Sequence, residues 1–125
     1  MNVLYVALGG AIGAAARYLV GLWIVARLGA SFPWGTFFVN VTGSFLIGIV
    51  LVFVEAGTLP AEARLFLAVG VLGGYTTFSS FSYETLQLVN GSDVVPVLFN
   101  TLGQLLAGLL AVYLGVIFAR SLGGI

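Results

Sequence analysis

The chain has 125 residues, 61% of them hydrophobic and only 6% charged, and its four arginines balance four acidic residues to a net charge of zero. A mean hydropathy of +1.20 is far too apolar for a soluble domain of average composition, which marks an integral membrane protein. Cysteine and histidine are both absent, which excludes disulfides, thiol nucleophiles, thiolate or His-ligated zinc, Ser-His-Asp triads and His proton relays, and no nucleic-acid partner is expected.

Four apolar stretches reach the roughly 20 residues that a helix needs to cross a bilayer core. They run from about Val3 to Ala26, Trp34 to Val54, Leu65 to Val89 and Val95 to Ala119, as one domain without linker or repeat. The first lacks a positive leading region and is too long for a signal peptide, so it is expected to remain as a span despite the Ala14-Ala15-Ala16 run. It carries Gly9 and Gly13 at a spacing that lets helix backbones approach closely, and Arg17 deep within its apolar flanks.

Ser31-Phe32-Pro33-Trp34 reads as a turn into the second segment, with Trp34 at interfacial depth. There Thr36, Asn40, Gly43, Ser44 and Gly48 recur at helical spacing and share one face. Glu55 to Pro60 closes that helix, and Pro60 with Glu62 suits the start of the next.

The third segment contains the least lipid-compatible stretch of the chain, Gly73-Gly74-Tyr75-Thr76-Thr77-Phe78-Ser79-Ser80-Phe81-Ser82. Irregular backbone persists at membrane depth only when it is buried in protein or lines a polar path. Repeated glycine weakens a helix by about 1 kcal/mol each, so two half-helices with an unwound joint near Gly73 to Thr77 are expected. Asn90-Gly91-Ser92-Asp93 reads as a turn, and Gly103, Ala107, Ala111 and Gly115 give the fourth segment a small-residue stripe suited to close packing.

If all four segments span, the termini and the Glu55 to Arg64 loop share one side. Arg64 and Arg120 then stand against Arg27 alone on the other. Orientation normally follows a Lys/Arg excess on cytoplasmic loops, and a difference of one charge barely specifies it. Insertion both ways, with pairing to an inverted copy, follows as an expectation.

Several residues offer chemistry beside a blander role. Asn40 either glues helices together or donates its amide hydrogens to a permeating anion, and its shared face with Thr36 and Ser44 favours a path. Phe78 and Phe81 share a face, and their positive ring edges can attract an anion without a full charge. Thr76, Thr77, Ser79, Ser80 and Ser82 either bond back to their own helix or serve ions: hydroxyls an anion, and carbonyls freed by a break a cation. Arg17 either snorkels to the interface or draws anions into a vestibule, and Glu84 sits near the mouth of a path or in water. Asn100, Thr101 and Gln104 add polarity to the fourth segment as glue or as lining.

At Gly9-Gly10-Ala11-Ile12-Gly13 leading to Arg17-Tyr18, at Gly35 to Phe45, and at Gly73 to Glu84, the sequence resembles the Fluc (CrcB) family of small bacterial fluoride channels. The likeness covers the whole chain. It implies an all-α membrane protein of four transmembrane helices with the third broken, assembled as an antiparallel, dual-topology homodimer in the cytoplasmic membrane, with two fluoride pores. By that resemblance Asn40 lines a pore, Phe78 and Phe81 form an aromatic box, and Thr77, Ser80 and neighbouring hydroxyls form a polar track. It also implies one structural sodium ion, not transported, held by backbone carbonyls of Gly73 and Thr76. The fourth segment receives no assigned pore residue. The alternative is a small multidrug or cation exporter able to insert both ways, but its required embedded carboxylate is missing if Glu55, Glu62 and Glu84 lie at or near helix ends. An enzyme is not expected, since no nucleophile and base pair is present.

Overall fold

The computed structural model describes residues 1–91 and 93–123 and is helical almost throughout. Ser92 of the expected turn lies outside the described residues, as do Gly124 and Ile125. Helix α1 spans Asn2–Leu28 and stops at Gly29, whose positive φ of 80° closes the last turn through an N–H bond to the Val25 carbonyl. In that turn the Arg27 guanidinium lies 4.7 Å from the centre of the Trp23 ring, a cation held at the negative end of the helix.

Helix α2 spans Trp34–Glu55 and begins after Pro33. It ends as Gly57 takes φ 77° and the Thr58 and Leu59 N–H groups both turn back to the Phe53 carbonyl. Pro60 stands as the cap of the third span, with Glu62 in its first turn as the sequence suggests. That span is two helices, α3 at residues 61–75 and α4 at Phe78–Asn90. Within α3 the stretch Arg64–Leu72 is wound in the wider π form, and the Gly73 N–H reaches back five residues to the Ala68 carbonyl. Helix α5 spans Val94–Gly123.

The four spans, Asn2–Leu28, Trp34–Glu55, Ala61–Asn90 and Val94–Gly123, are each long and apolar enough to cross a bilayer. They extend slightly beyond the apolar stretches of the sequence because the polar ends remain helical. The chain is a multi-pass membrane protein, and its packing is arranged for lipid. Helix α1 turns Leu8, Ile12 and Leu19 outward and keeps Gly9 and Gly13 inside. Lipid is as apolar as leucine, so association is driven by close backbone packing rather than by burial of large side chains.

Two pairings hold the bundle. Helix α1 packs on α3 and α2 packs on α5. In the first, a Cβ on Gly9 would overlap the Phe66 carbonyl oxygen and one on Gly13 the Val71 carbonyl oxygen, while one on Gly74 would lie 2.7 Å from the Gly10 oxygen. In the second, a Cβ on Gly48 would come within 2.6 Å of the Val112 carbonyl and one on Gly115 would overlap that of Phe45. Phe32, Trp34, Phe37 and Phe99 form a ring cluster beside the start of α2, with Phe37 and Phe99 stacked at 5.5 Å.

The break falls later than the glycines suggest. Gly73 is helical at φ −63°, ψ −38°, and Gly73–Tyr75 continues α3. The extended residues are Thr76 at φ −85°, ψ 158° and Thr77 at φ −151°, ψ 121°. The expected joint at Gly73 to Thr77 therefore shortens to two threonines. Gly70 and Gly74 are spent on contact with α1, where any side chain would strike backbone, so the helix stays intact through them.

Candidate functional site

The break is held open by side chains that replace the lost helical bonds. Thr77 caps α4, its Oγ1 accepting from the Ser80 N–H at 3.1 Å. The Thr77 N–H donates to Asn40 Oδ1 at 2.8 Å, and Asn40 Nδ2 donates back to the Thr77 carbonyl at 3.0 Å. An amide that pairs in this two-way fashion with the N–H and C=O of one residue has its orientation fixed, oxygen to N–H and nitrogen to C=O. Asn40 Nδ2 also donates to Gln104 Oε1 at 2.6 Å, so both of its hydrogens are engaged.

Arg17 turns inward rather than to the interface. Its Nε donates to the Gly74 carbonyl at 3.1 Å, placing a cation on the carbonyl end of α3 where the helix dipole is negative. Three further carbonyls have lost their helical donors, that of Tyr75, which the Ser79 N–H no longer reaches, and those of Gly73 and Thr76. The Gly73 oxygen would normally receive the Thr77 N–H, which goes to Asn40 instead, and the Thr76 oxygen would receive the Ser80 N–H, which goes to Thr77 Oγ1.

A cavity of about 770 Å³ opens beside the α1–α2 loop and is lined by Arg17, Ser31, Trp34, Thr36, Thr77 and Glu84 among others. A second, of about 390 Å³, is lined by Asn40, Ser44, Thr76, Phe78, Phe81 and Gln104 along with apolar groups. Thr77 borders both, so the Asn40–Thr77 pair stands where they meet. In the smaller cavity the Phe78 and Phe81 rings sit 5.8 Å apart and tilted by 44°. Every polar group there is an uncharged amide or hydroxyl.

The sequence-derived residues separate in space. Asn40, Gly43 and Ser44 face the smaller cavity, Thr36 faces the larger, and Gly48 packs on α5. Most hydroxyls follow the bland course, bonding back one turn: Thr76 to Leu72, Ser82 to Phe78, Ser44 to Asn40 and Thr42 to Phe38. Ser80 lines neither cavity. Glu84 lies inside α4 rather than at a helix end, because that helix runs on to Asn90, and its Oε1 is buried without a hydrogen-bond partner. Gln104 and Asn100, left between glue and lining by sequence, are among the most buried polar residues, at 7% and 0% exposure. Their signal was the four-residue spacing that puts both on one face of α5.

The family model described as "CrcB-like protein, Camphor Resistance (CrcB)" matches residues 4–116. The chain belongs to this family. It is 55% identical over 121 residues to the "Fluoride-specific ion channel FluC" of a Thermus thermophilus strain, covering 97% of this chain and 95% of the relative. Proteins of the same name from Rhizobium meliloti and Chloroflexus aurantiacus are 46% identical over 123 residues and 43% over 124, each spanning 98% of the relative. The CrcB membership thus extends through both cavities and the break between them.

Proposed function

We propose that the protein is a fluoride-selective channel that lets fluoride leave the cell passively across the cytoplasmic membrane, lowering its intracellular toxicity. The observation that carries this reading is the smaller cavity, where neutral amides and hydroxyls adjoin two tilted phenylalanine rings. Such donors replace part of a small anion's hydration without the full charge that would trap it. The name carried by relatives aligned over nearly the whole chain supports the same ion.

In this reading Asn40, Phe78, Phe81, Thr77 and Ser44 border the fluoride path, Ser80 serves it through the N–H it gives to Thr77 Oγ1, and Arg17 and Glu84 set the field of the larger cavity as its vestibule. The working unit is an antiparallel homodimer with two pores. A single chain leaves Phe78 78% exposed and also exposes Ser79, Ser82 and Tyr83 on α4. A half-polar helix face is unfavourable against lipid and calls for a protein neighbour. The Gly73 and Thr76 carbonyls suit a hard monovalent cation, and sodium shared between two copies is their proposed occupant. Two oxygens from each chain would be supplied, with no acidic ligand required.

The experiment is fluoride efflux from liposomes carrying the purified protein, followed with a fluoride electrode. Rapid fluoride release with chloride retained is expected. Release no faster than from empty liposomes, or equal chloride release, removes the channel reading. The exporter alternative gains one point from Glu84, a carboxylate within a span, but Glu84 opens on the larger cavity and not on the phenylalanine pair. Proton-driven efflux of an organic cation from the same liposomes would favour it.

A further inference from the structure

Apart from the Thr77 hydroxyl, which shares a 3.3 Å contact with Ser79 Oγ, and the backbone N–H of Phe78 in the first turn of α4, the side-chain donors in the cavity edged by Phe78 and Phe81 can be counted singly. Asn40 Nδ2 spends one hydrogen on Thr77 and the other on Gln104. Ser44 Oγ donates to the Asn40 carbonyl at 2.7 Å, and Thr76 Oγ1 to the Leu72 carbonyl at 2.9 Å. Gln104 Nε2 has two hydrogens and spends one, on Asn100 Oδ1 at 2.9 Å. Among the described residues nothing accepts the other. Gln104 is 7% exposed and lines this cavity, so a nearly desolvated N–H is left over at the place where an anion would sit.

Its polarity is imposed from both ends. Asn40 Nδ2 can only donate, so the Gln104 atom facing it is the oxygen. At the far end Thr85 Oγ1 donates to the Phe81 carbonyl at 2.7 Å and therefore accepts from Asn100 Nδ2 at 2.9 Å. That turns Asn100 Oδ1 toward Gln104 and fixes Nε2 as the donor. The series Thr77 N–H, Asn40, Gln104, Asn100, Thr85, Phe81 carbonyl has one consistent direction, each group donating to the next. Asn100 is fully buried, and neither it nor Thr85 lines either of the two cavities described above.

We propose that Gln104 offers its remaining Nε2 hydrogen to the small anion in this cavity, and that Asn100 and Thr85 are positioning residues which hold Gln104 in the donating polarity. The inference rests on the fluoride reading above and names a donor within it. Without the Thr85 hydroxyl, Asn100 is free to flip, and a flipped Asn100 no longer offers an acceptor to Gln104.

The test uses the full-length protein in liposomes and in detergent. Thr85→Val cuts the fluoride efflux rate about tenfold, the scale of one lost hydrogen bond, while Thr85→Ser, which keeps the hydroxyl, stays within about twofold of the parent. A merely structural role would not require the hydroxyl once the volume is kept. In parallel, nitrogen–proton correlation spectra of the protein titrated with sodium fluoride show one Gln104 side-chain proton moving, with no such movement in sodium chloride. The spectra decide the matter even if Thr85→Val fails to fold. Equal efflux from Thr85→Val and the parent, or Gln104 protons indifferent to fluoride, overturns the proposal. Parent liposomes without fluoride efflux would refute the channel reading instead, and the fluoride titration would still decide whether Gln104 meets an anion.

Discussion

Replacing Asn40 with leucine, a side chain of similar size without polar atoms, tests what keeps the third span broken. The change removes three hydrogen bonds, at 3.0, 2.6 and 2.8 Å, and orphans the Thr77 carbonyl, Gln104 Oε1 and the Thr77 N–H. Interhelical hydrogen bonds in membranes average about 0.6 kcal/mol and reach about 1.7, so three of them bracket a loss of about 2 to 5 kcal/mol. The lower end applies, because Asn40 and Thr77 border cavities from which water can reach the orphaned groups. The assay is the unfolding free energy of the purified protein in detergent, alongside fluoride efflux, which is expected to fall at least tenfold, about one hydrogen bond's worth. A cycle with Gln104→Leu isolates the 2.6 Å bond, with an expected coupling of about 0.6 to 1.7 kcal/mol. Unfolding within about 0.5 kcal/mol of the parent, with strict additivity in the cycle, would refute the argument that this amide braces the break.

Glycines give a paired contrast. Gly13→Ala drives a methyl group into the Val71 carbonyl and is expected to lower stability by about 1 to 3 kcal/mol, whereas Gly21→Ala meets nothing within 4 Å and gains up to about 1 kcal/mol from helix propensity; thermal unfolding of the two variants measures both. Replacing sodium with N-methylglucamine is expected to lower the thermal midpoint of the purified protein, with saturable recovery on adding sodium back, and a midpoint indifferent to sodium removes the proposed role of Gly73 and Thr76. Because the chain has no cysteine, Ser121→Cys at the exposed end of α5 provides a unique label. An impermeant thiol reagent should modify about half of it from outside intact cells if insertion runs both ways, and all-or-none labelling contradicts dual topology.

Hydropathy made the four spans legible because a bilayer tests length and apolarity along the chain, both of which are local properties. That the third span breaks was legible for a similar reason, since a run of glycines and hydroxyls is costly to any apolar helix wherever it packs. The position of the break was not. A glycine serves equally to bend a helix or to admit a neighbour, and only the register of α1, with the Gly10 carbonyl 2.7 Å from where a Gly74 Cβ would stand, assigns Gly74 to the second use. Thr77 then becomes the point of rupture because Asn40, 37 positions earlier in the chain, supplies the bonds its peptide loses. Asn40 stood out in the sequence as a costly amide within a span, yet its type could not separate glue from donor. Counting the amide hydrogens against their acceptors adds what residue type cannot: both of Asn40's are engaged, and an unspent one lies one step along, on Gln104. In an apolar bundle the group free to meet an ion is thus found by what its neighbours leave unsatisfied, which depends on contacts between distant segments and not on residue type.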